Sequence, residues 1–463
     1  MRTKGSTPKY RRTAAFAALL LASGACGGSS SDSGGGQSSG AVVYPLEVSG
    51  NGRLLVDQEH DPFLVQADSA WGLVAAATIE QAELYLENRR QKGFNAVIVR
   101  LLESKWTDDP PRNIYGEGPF TTPGDFATPN EAYFAHVDRV IQKANEKGIL
   151  VLLAPAYLGY NGGDEGWFEE MTANGTTKLR NYGRYLGRRY RNFPNILWVE
   201  AGDFNPPTPN LVRAVALGIL DYDTVHLHTA HCGRSNSAMD CFPNESWLTV
   251  NASYTSHITY PDVLGDYHRV PFKPFFLLDA EYENTNDSTP ASLRAQAYWA
   301  VLSGAQGQLF GVNPTYHFEG PALWPPPYEW EEGMESPGSH DMPRVTALFD
   351  SRDWHDLVPD DDHEVVTSGY GSFGSTGYVT AARTPDGRLV MAYIPSTGTG
   401  TRSLTVDMSK LADPAQGRWY NPTTGAYTDI AGSPFANTGS RTFTTPGNNG
   451  TDTNDWALVL EIP

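Results

Sequence analysis

From residue 63 onward, short apolar runs alternate with longer amphipathic segments. "ATIEQAELYLENRRQKG" has the pattern of a helix that begins with a capping box of Thr78 and Gln81 and ends at Gly93. The apolar run "FNAVIVRLL" follows at once and is rich in β-branched residues, as in a buried strand. "NEAYFAHVDRVIQKANEKG" and "ILVLLAPAY" repeat the same design. The pattern therefore predicts successive strand–helix units.

Eight candidate strands can be placed in this way. They begin near Phe63, Asn95, Ile149, Asn195, Thr224, Trp247, Phe275 and Gln308, and the fifth and sixth are short and mixed in character. Strands that alternate with helices indicate a parallel sheet covered on both faces. Eight units in about 260 residues fit a closed barrel better than an open sheet. We therefore predict an α/β fold, with a (β/α)8 TIM barrel over residues 42–360.

The hydrophobic pattern of the sequence changes from about Asp361. Runs such as "GYVTAARTPDGRLVMAYIPS" and "DWALVLEIP" alternate in polarity and are separated by turn residues. They predict a small antiparallel β-sandwich over residues 361–463.

The first 41 residues have the pattern of an export signal followed by a tether. "MRTKGSTPKYRR" is basic, "TAAFAALLLA" is apolar, and "SGAC" is a small-residue cleavage site that ends in Cys26. The apolar run is shorter than the roughly 20 residues of a membrane-spanning helix. We expect a lipoprotein signal peptide over residues 1–25, lipidation of Cys26, and a Gly/Ser-rich linker over residues 26–41. The alternative is an ordinary secreted protein.

Charge and cysteine content agree with an exported protein. Without the first 25 residues, 29 basic residues remain against 53 acidic ones, a net charge of 29 − 53 = −24. Nucleic acid and anionic membrane surfaces are therefore not expected as partners. Cys232 and Cys241 are predicted to form a disulfide, as in an oxidising compartment. We expect a monomer whose only link to the membrane is the lipid on Cys26.

Active sites of such barrels lie at the carboxyl ends of the strands. The candidates there are Asp68 and Trp71 after strand one, Arg100 at strand two, Tyr157 after three, Glu200 and Asp203 at four, His231 after five, Tyr254 and His257 after six, and Asp279, Glu281 and Glu283 after seven. No tight spacing of histidines and carboxylates indicates a metal site, and we expect no cofactor. Two carboxylates on opposite walls of a cleft are what glycoside hydrolysis needs. Trp71, Trp324, Tyr328 and Trp330 are candidates to stack on sugar rings.

Several of these residues also fit a structural role. Asp68 either contacts a sugar hydroxyl or caps the following helix, and Arg100 either contacts substrate or neutralises buried acids. In "WVEAGDFN", Gly202 lets the chain turn so that Asp203 reaches the mouth of the barrel. Glu200 lies deeper, as a supporting or sugar-binding acid. Arg100, Tyr254 and His257 are the expected hydrogen-bond donors to Glu281.

Four stretches together resemble the apiosidase-like glycoside hydrolases. They are "LVQADSAW", "NILWVEAGDFN", "LLDAEYE" and "SPGSHDMPRVTALFDSRDWHDLVPD", in this order. "TPDGRLVMAYIPS", "RWYNPTTG" and "NDWALVLE" look like the small β-domain, labelled collagen-binding, that commonly follows them. The resemblance spans nearly the whole chain beyond the signal segment.

The resemblance implies a retaining mechanism with two catalytic carboxylates. The aspartate of the family's Gly-Asp-x-Asn stretch acts as acid/base and corresponds to Asp203. The nucleophile is the glutamate of an Asp/Asn-Gly-Glu-Pro stretch, which "DAEYE" matches at Asp279 and Glu281 but not at the glycine and proline. Glu283 is therefore the second candidate for the nucleophile.

The sequence thus predicts an exported glycoside hydrolase acting on a furanosidic or side-chain sugar of a complex polysaccharide. One alternative is a non-catalytic lipoprotein that binds carbohydrate or matrix. Another is a barrel endo-glucanase or mannanase, which would have an open groove instead of a pocket. The presence of both Asp203 and Glu281 favours an enzyme.

Overall fold

The structure, a computed structural model, describes residues 41–321 and 323–463. The predicted signal peptide, Cys26 and the linker up to residue 40 lie outside the described residues. A short hairpin of β1 (Glu47–Val48) and β2 (Leu55–Val56) comes first. The strands of the next sheet are β3 (Val65–Ser69), β4 (Ala96–Arg100), β5 (Leu150–Ala154), β6 (Ile196–Ala201), β7 (His228–His231), β8 (Asn236–Ser237), β9 (Asn251–Tyr254), β10 (Phe275–Asp279) and β11 (Gly307–Phe310).

These strands, apart from β8, are the eight strands of the predicted barrel. The order in the sheet is β7-β6-β5-β4-β3-β11-β10-β9-β8, and every pairing is parallel except the one between β8 and β9. The seam between β7 and β9 is bridged by the backbone amides of Thr249 and Val250, each 3.0 Å from the carbonyl oxygen of His228. The barrel class is therefore confirmed, and strands five and six are short, with four residues each, as is strand eight.

Ten α-helices lie in the described barrel region. They are α1 (Leu73–Ala76), α2 (Ile79–Gln91), α3 (Glu131–Glu146), α4 (Phe168–Tyr190), α5 (Asn210–Leu220), α6 (Ala238–Cys241), α7 (Tyr260–Tyr267), α8 (Pro290–Leu302), α9 (Trp330–Gly333) and α10 (Pro337–Asp350). The capping box of Thr78 and Gln81 is present at the start of α2. Gly93 has a φ of 72°, the left-handed conformation that ends a helix. None of the helices in the described parts of the chain is long and apolar enough to cross a membrane.

The C-terminal region is the predicted sandwich of antiparallel strands. Its strands are β12 (Val358–Pro359), β13 (Val366–Ser368), β14 (Thr380–Arg383), β15 (Leu389–Ile394), β16 (Ser403–Asp407), β17 (Gln416–Tyr420), β18 (Tyr427–Asp429), β19 (Ser440–Thr444) and β20 (Trp456–Glu461). One sheet has the order β12-β14-β15-β20-β17-β18 and the other β13-β16-β19. Because β12 pairs with β14, the sandwich begins a few residues before position 361.

The sandwich packs against α8 of the barrel through aromatic and charged side chains. The rings of Tyr298 and Tyr393 stack with centroids 4.4 Å apart. Beside them, the buried guanidinium of Arg294 donates to Asp455 of the sandwich at 2.8 and 2.9 Å and to Asp341 of α10 at 2.7 Å. A buried cation with two carboxylate partners thus joins the two domains.

Candidate active site

A cavity with about 660 Å³ of empty space, including its open mouth, lies at the carboxyl ends of the barrel strands. Residues from the sequence prediction that line it are Trp71, Arg100, Tyr157, Asp203, His231, Tyr254, Asp279, Glu281 and Trp324. The structure therefore brings both predicted catalytic carboxylates into one cavity.

The backbone at the end of β6 is unusual and places Asp203 in the cavity. Ala201, Gly202 and Asp203 have φ angles of 65°, 142° and 49°, which reverse the chain direction. A Cβ atom on Gly202 would lie 2.2 Å from the ring of Tyr157, so glycine is required there. The prediction that Gly202 allows this turn is confirmed.

His231 holds the backbone of Asp203. The backbone N–H of Asp203 donates to Nδ1 of His231 at 3.0 Å, and Nε2 of His231 lies 3.0 Å from Oδ2 of Asp279. Because Nδ1 accepts a hydrogen bond, the proton of the neutral ring is on Nε2 and is donated to Asp279. His231 therefore connects Asp203 to a second acid in the cavity.

The carboxyl group of Asp203 is suited to carry a proton. Burial raises its pKa, nearby His231 lowers it, and the negative charge of Asp279 raises it further. Tyr157 donates a long hydrogen bond to Oδ2 at 3.4 Å. Within the described residues, the buried Oδ1 of Asp203 has no hydrogen-bond partner, so this oxygen is available to a ligand.

Glu281 is held by donors that we did not predict from the sequence. Nη1 of Arg234 lies 2.8 Å from Oε1, and Nδ2 of Asn286 lies 3.0 Å from Oε2. The backbone N–H of Glu281 donates to Oε1 of Gln296 at 3.2 Å. Only about 9% of the Glu281 side chain is exposed, so the carboxylate depends on Arg234 and Asn286 for its hydrogen bonds.

The remaining predicted residues in the cavity form its aromatic wall. His231 stacks on Tyr254 with centroids 4.9 Å apart, and the Trp71 ring lies 5.6 Å from His231. Nε1 of Trp71 donates to the hydroxyl of Tyr282 at 2.9 Å. The guanidinium carbon of Arg100 lies 4.9 Å from the centre of the Tyr157 ring. Arg100 and Tyr254 therefore line the cavity without donating to Glu281.

Two predicted sugar-binding acids lie outside the cavity, on the helix side of the barrel. Both oxygens of Asp68 accept hydrogen bonds within the fold. Oδ1 accepts from the backbone N–H of Ser69 at 2.9 Å, and Oδ2 accepts from the Tyr85 hydroxyl at 2.6 Å and from Nη1 of Arg89 at 3.0 Å, both on α2. Oε1 of Glu200 lies 3.2 Å from Nδ1 of His228. Burial raises the pKa of each carboxyl group. Glu200 therefore has a supporting role, one of its two expected roles, and Asp68 has structural partners on α2 in place of the expected sugar contact.

Glu283 and His257 are also away from the cavity. Oε2 of Glu283 accepts from the hydroxyl of Ser336 at 2.6 Å and from the N–H of Gly338 at 3.1 Å, so the carboxylate binds the start of α10. His257 is exposed in the loop after β9 and does not contribute to the lining. Of the two candidate nucleophiles, Glu281 alone lines the cavity.

Several lining residues had no signal in the sequence pattern. They are Trp106, Glu165, Tyr282, Thr285, Asn286 and Tyr316, most of which lie in loops after the strands. Only their position in loops on the carboxyl side of the barrel could have indicated them.

The predicted disulfide between Cys232 and Cys241 is present. The two Cα atoms lie 6.5 Å apart, within the range for a disulfide. The bond closes the loop that follows His231 and that carries Arg234. In the described parts of the chain, no group of three or more His, Cys, Asp or Glu side chains is arranged to hold a metal ion.

A family model described as "Apiosidase-like, catalytic domain" matches residues 49–356. The chain belongs to this family. The apiosidase-like enzyme is therefore a glycoside hydrolase, as the sequence resemblance implied. A second model, described as "Putative collagen-binding domain of a collagenase", matches residues 358–461, and the two matches meet where β12 begins.

Solved structures share the fold of the apiosidase-like enzyme. One glycoside hydrolase is 23% identical, with a TM-score of 0.77 over 90% of this chain and 96% of its own. A glycoside hydrolase family 5 structure from Bacteroides vulgatus ATCC 8482 is 22% identical, with a TM-score of 0.77, and covers 90% of this chain and 93% of its own. A maltogenic alpha-amylase from Thermotoga neapolitana is 12% identical, with a TM-score of 0.52, and covers 86% and 99%. No curated protein matches the sequence.

Proposed function

We propose that this enzyme is a retaining glycoside hydrolase in which Asp203 is the acid/base and Glu281 the nucleophile. The observation that carries the proposal is the contrast between the two carboxyl groups of one cavity. Burial and Asp279 favour the protonated form of Asp203, and its Oδ1 has no hydrogen-bond partner among the residues that the structure describes, which leaves it for a ligand. Both oxygens of Glu281 accept hydrogen bonds, from Arg234 and Asn286, and these bonds hold the side chain in one position, as a nucleophile requires.

The reaction would proceed in two displacements. An oxygen of Glu281 attacks the anomeric carbon while the Asp203 carboxyl group gives its proton to the leaving glycosidic oxygen. The C–O bond to the leaving group breaks, and a glycosyl ester of Glu281 forms. In the second step, the Asp203 carboxylate takes a proton from water, the water oxygen attacks the same carbon, and Glu281 leaves. Two inversions give net retention.

The proposed substrate is a furanosidic or side-chain sugar of a complex polysaccharide. Trp324 lines the cavity and is 37% exposed, so an apolar sugar face could stack on it at the mouth. Trp71 and Tyr254 supply aromatic surface deeper in the same cavity.

We also propose that the enzyme is exported and anchored by a lipid on Cys26. The support is the order of basic, apolar and small-residue segments before Cys26 and the disulfide of the barrel domain. Metabolic labelling with a palmitate analogue tests this, because the label should enter the parent protein and be absent from a Cys26→Ala variant.

Turnover of a panel of polysaccharides and aryl pentofuranosides tests the activity. Glu281→Gln should abolish turnover while leaving the fold intact, because the amide is a poor nucleophile. The matched control is Glu283→Gln, the same substitution two residues away at a carboxylate outside the cavity, and it should retain turnover. Full activity of Glu281→Gln, or tight glycan binding without turnover of any substrate, would contradict the proposal.

A further inference from the structure

An ion pair covers Glu281 from the solvent side. The Arg234 side chain is 42% exposed and the Glu281 side chain is 9% exposed, with Nη1 and Oε1 at 2.8 Å. The guanidinium carbon of Arg234 also lies 5.5 Å from the centre of the Tyr254 ring. Because Asp203 and Asp279 lie in the same cavity, Arg234 supplies positive charge where three acids gather.

The loop that carries Arg234 is fixed at several points. Arg234 is two residues beyond Cys232, inside the loop that the Cys232–Cys241 disulfide closes. Nδ2 of Asn236 donates to the carbonyl oxygen of Arg234 at 3.0 Å, and Asn236 then pairs with Tyr254 between β8 and β9. The loop therefore presents the guanidinium from a backbone that is tied at both ends.

We propose that Arg234 is a positioning residue for the nucleophile and that the Cys232–Cys241 disulfide acts on catalysis through it. The inference rests on the proposed role of Glu281. Arg234 stabilises the ionised carboxylate beside two other acids and directs the oxygen that attacks the anomeric carbon. When the disulfide is removed, the loop gains conformations in which the guanidinium leaves Glu281.

Replacement of Arg234 with alanine is compared with a matched ion pair elsewhere. The Arg213 and Glu245 side chains are 40% and 9% exposed, nearly the same as those of Arg234 and Glu281, but they are outside the cavity. On an activated aryl glycoside, Arg234→Ala should lower kcat about 100-fold, the loss typical of a misplaced reacting group. Arg213→Ala should keep kcat within about twofold of the parent, since surface ion pairs contribute little. Equal effects of the two variants would overturn the proposal.

Two further readouts separate positioning from general stability. Arg234→Lys should recover part of the lost kcat, because the ammonium keeps the charge but not the planar fork that fits a carboxylate. Guanidinium ion at sub-denaturing concentration should partly rescue Arg234→Ala and should leave Arg213→Ala unchanged. If Arg234→Lys and guanidinium-treated Arg234→Ala both remain as slow as untreated Arg234→Ala, the positioning role is contradicted.

A double-mutant cycle tests the link to the disulfide. The double variant Cys232→Ser/Cys241→Ser should lower kcat about 10-fold, within the range for a displaced catalytic group. In the Arg234→Ala background, the same cysteine replacements should lower kcat less than twofold, because residues that act through one another are not additive. Independent, multiplying losses would show that the disulfide acts elsewhere and would overturn this part of the proposal.

Azide rescue of Glu281→Gly distinguishes failure of this inference from failure of the proposed function. Azide can replace a missing nucleophile and would form a glycosyl azide of inverted configuration. Rescue together with normal activity of Arg234→Ala would overturn the positioning role and leave the nucleophile assignment standing. Absence of rescue, with a parent that turns over the substrate, would contradict both.

Discussion

The backbone N–H of Asp203 donates to Nδ1 of His231 at 3.0 Å, and this bond fixes the tautomer of the histidine. The ring proton must then be on Nε2, 3.0 Å from Oδ2 of Asp279. Asp203 has a left-handed φ of 49°, which an aspartate adopts only when its surroundings hold it there. His231 and Asp279 thus hold the orientation of Asp203, which we propose as the proton donor.

Replacement of His231 with alanine should therefore affect proton transfer more than nucleophilic attack. We expect kcat/KM to fall about 10- to 100-fold for glycosides with poor leaving groups, because general acid catalysis contributes at about that level or more. Activated aryl glycosides need little protonation and should lose much less. Steady-state kinetics across a series of aryl leaving groups checks this, and an equal loss along the whole series would contradict it.

The pKa of Asp203 should set the alkaline limb of the pH profile. Burial and the charge of Asp279 raise this pKa, and we propose that the acid form protonates the leaving group. For poor leaving groups, kcat/KM should therefore fall as the pH rises through the pKa of Asp203. In Asp203→Asn, an activated aryl substrate should show no such limb. Persistence of the same limb in this variant would assign it to another group.

The same raised pKa predicts a cost in stability. When the folded-state pKa of an aspartate is above its unfolded value, the stabilisation is complete below the unfolded pKa and is lost as pH rises through the folded pKa. At pH values above the unfolded pKa, Asp203 therefore lowers stability, and Asp203→Asn should raise Tm at neutral pH by about 1–3 °C. The gain should shrink towards pH 3 in thermal unfolding scans. A lower Tm at neutral pH would contradict this prediction.

The buried arginine between the domains should dominate their joint stability. Arg294→Ala leaves the carboxylates of Asp341 and Asp455 buried without their cation and should cost about 3–5 kcal/mol of unfolding free energy. Arg90→Ala removes an exposed pair with Glu87 on α2 and serves as the control with no measurable change. Denaturant unfolding of both variants checks this. Similar midpoints for the two would mean that the buried cluster contributes little.

Hydrophobic periodicity was enough to predict the barrel but not which face of each strand meets the cavity. Trp198 and Glu200 are two residues apart on β6 and therefore share a face. Nε1 of Trp198 donates to Asp223 at 3.0 Å, and its ring packs against Tyr190 of α4, which places this face towards the helices. The Glu200 side chain therefore also points towards the helices. Alternation along the strand places Trp198 and Glu200 on the same face, but it does not show whether that face points into the barrel or towards the helices.

Contacts between distant loops were the other part that the sequence could not supply. Arg234 and Asn286 lie in the loops after β7 and β10, and neither stands in a periodic segment. Their meeting at Glu281 depends on how the disulfide loop and the loop after Glu281 fold over the barrel. By contrast, Asp203 could be identified because a glycine before an acid at a strand end indicates a turn of the backbone that places the acid at the barrel mouth.

Covalent trapping with a 2-deoxy-2-fluoro glycosyl fluoride of the preferred sugar tests the assignment of the nucleophile most directly. The fluorine slows hydrolysis of the glycosyl ester, so the adduct can be located by peptide mass spectrometry. We predict one adduct per chain, on Glu281, with time-dependent loss of activity. An adduct on Asp279 or Glu283, or inactivation without a covalent adduct, would contradict the assignment.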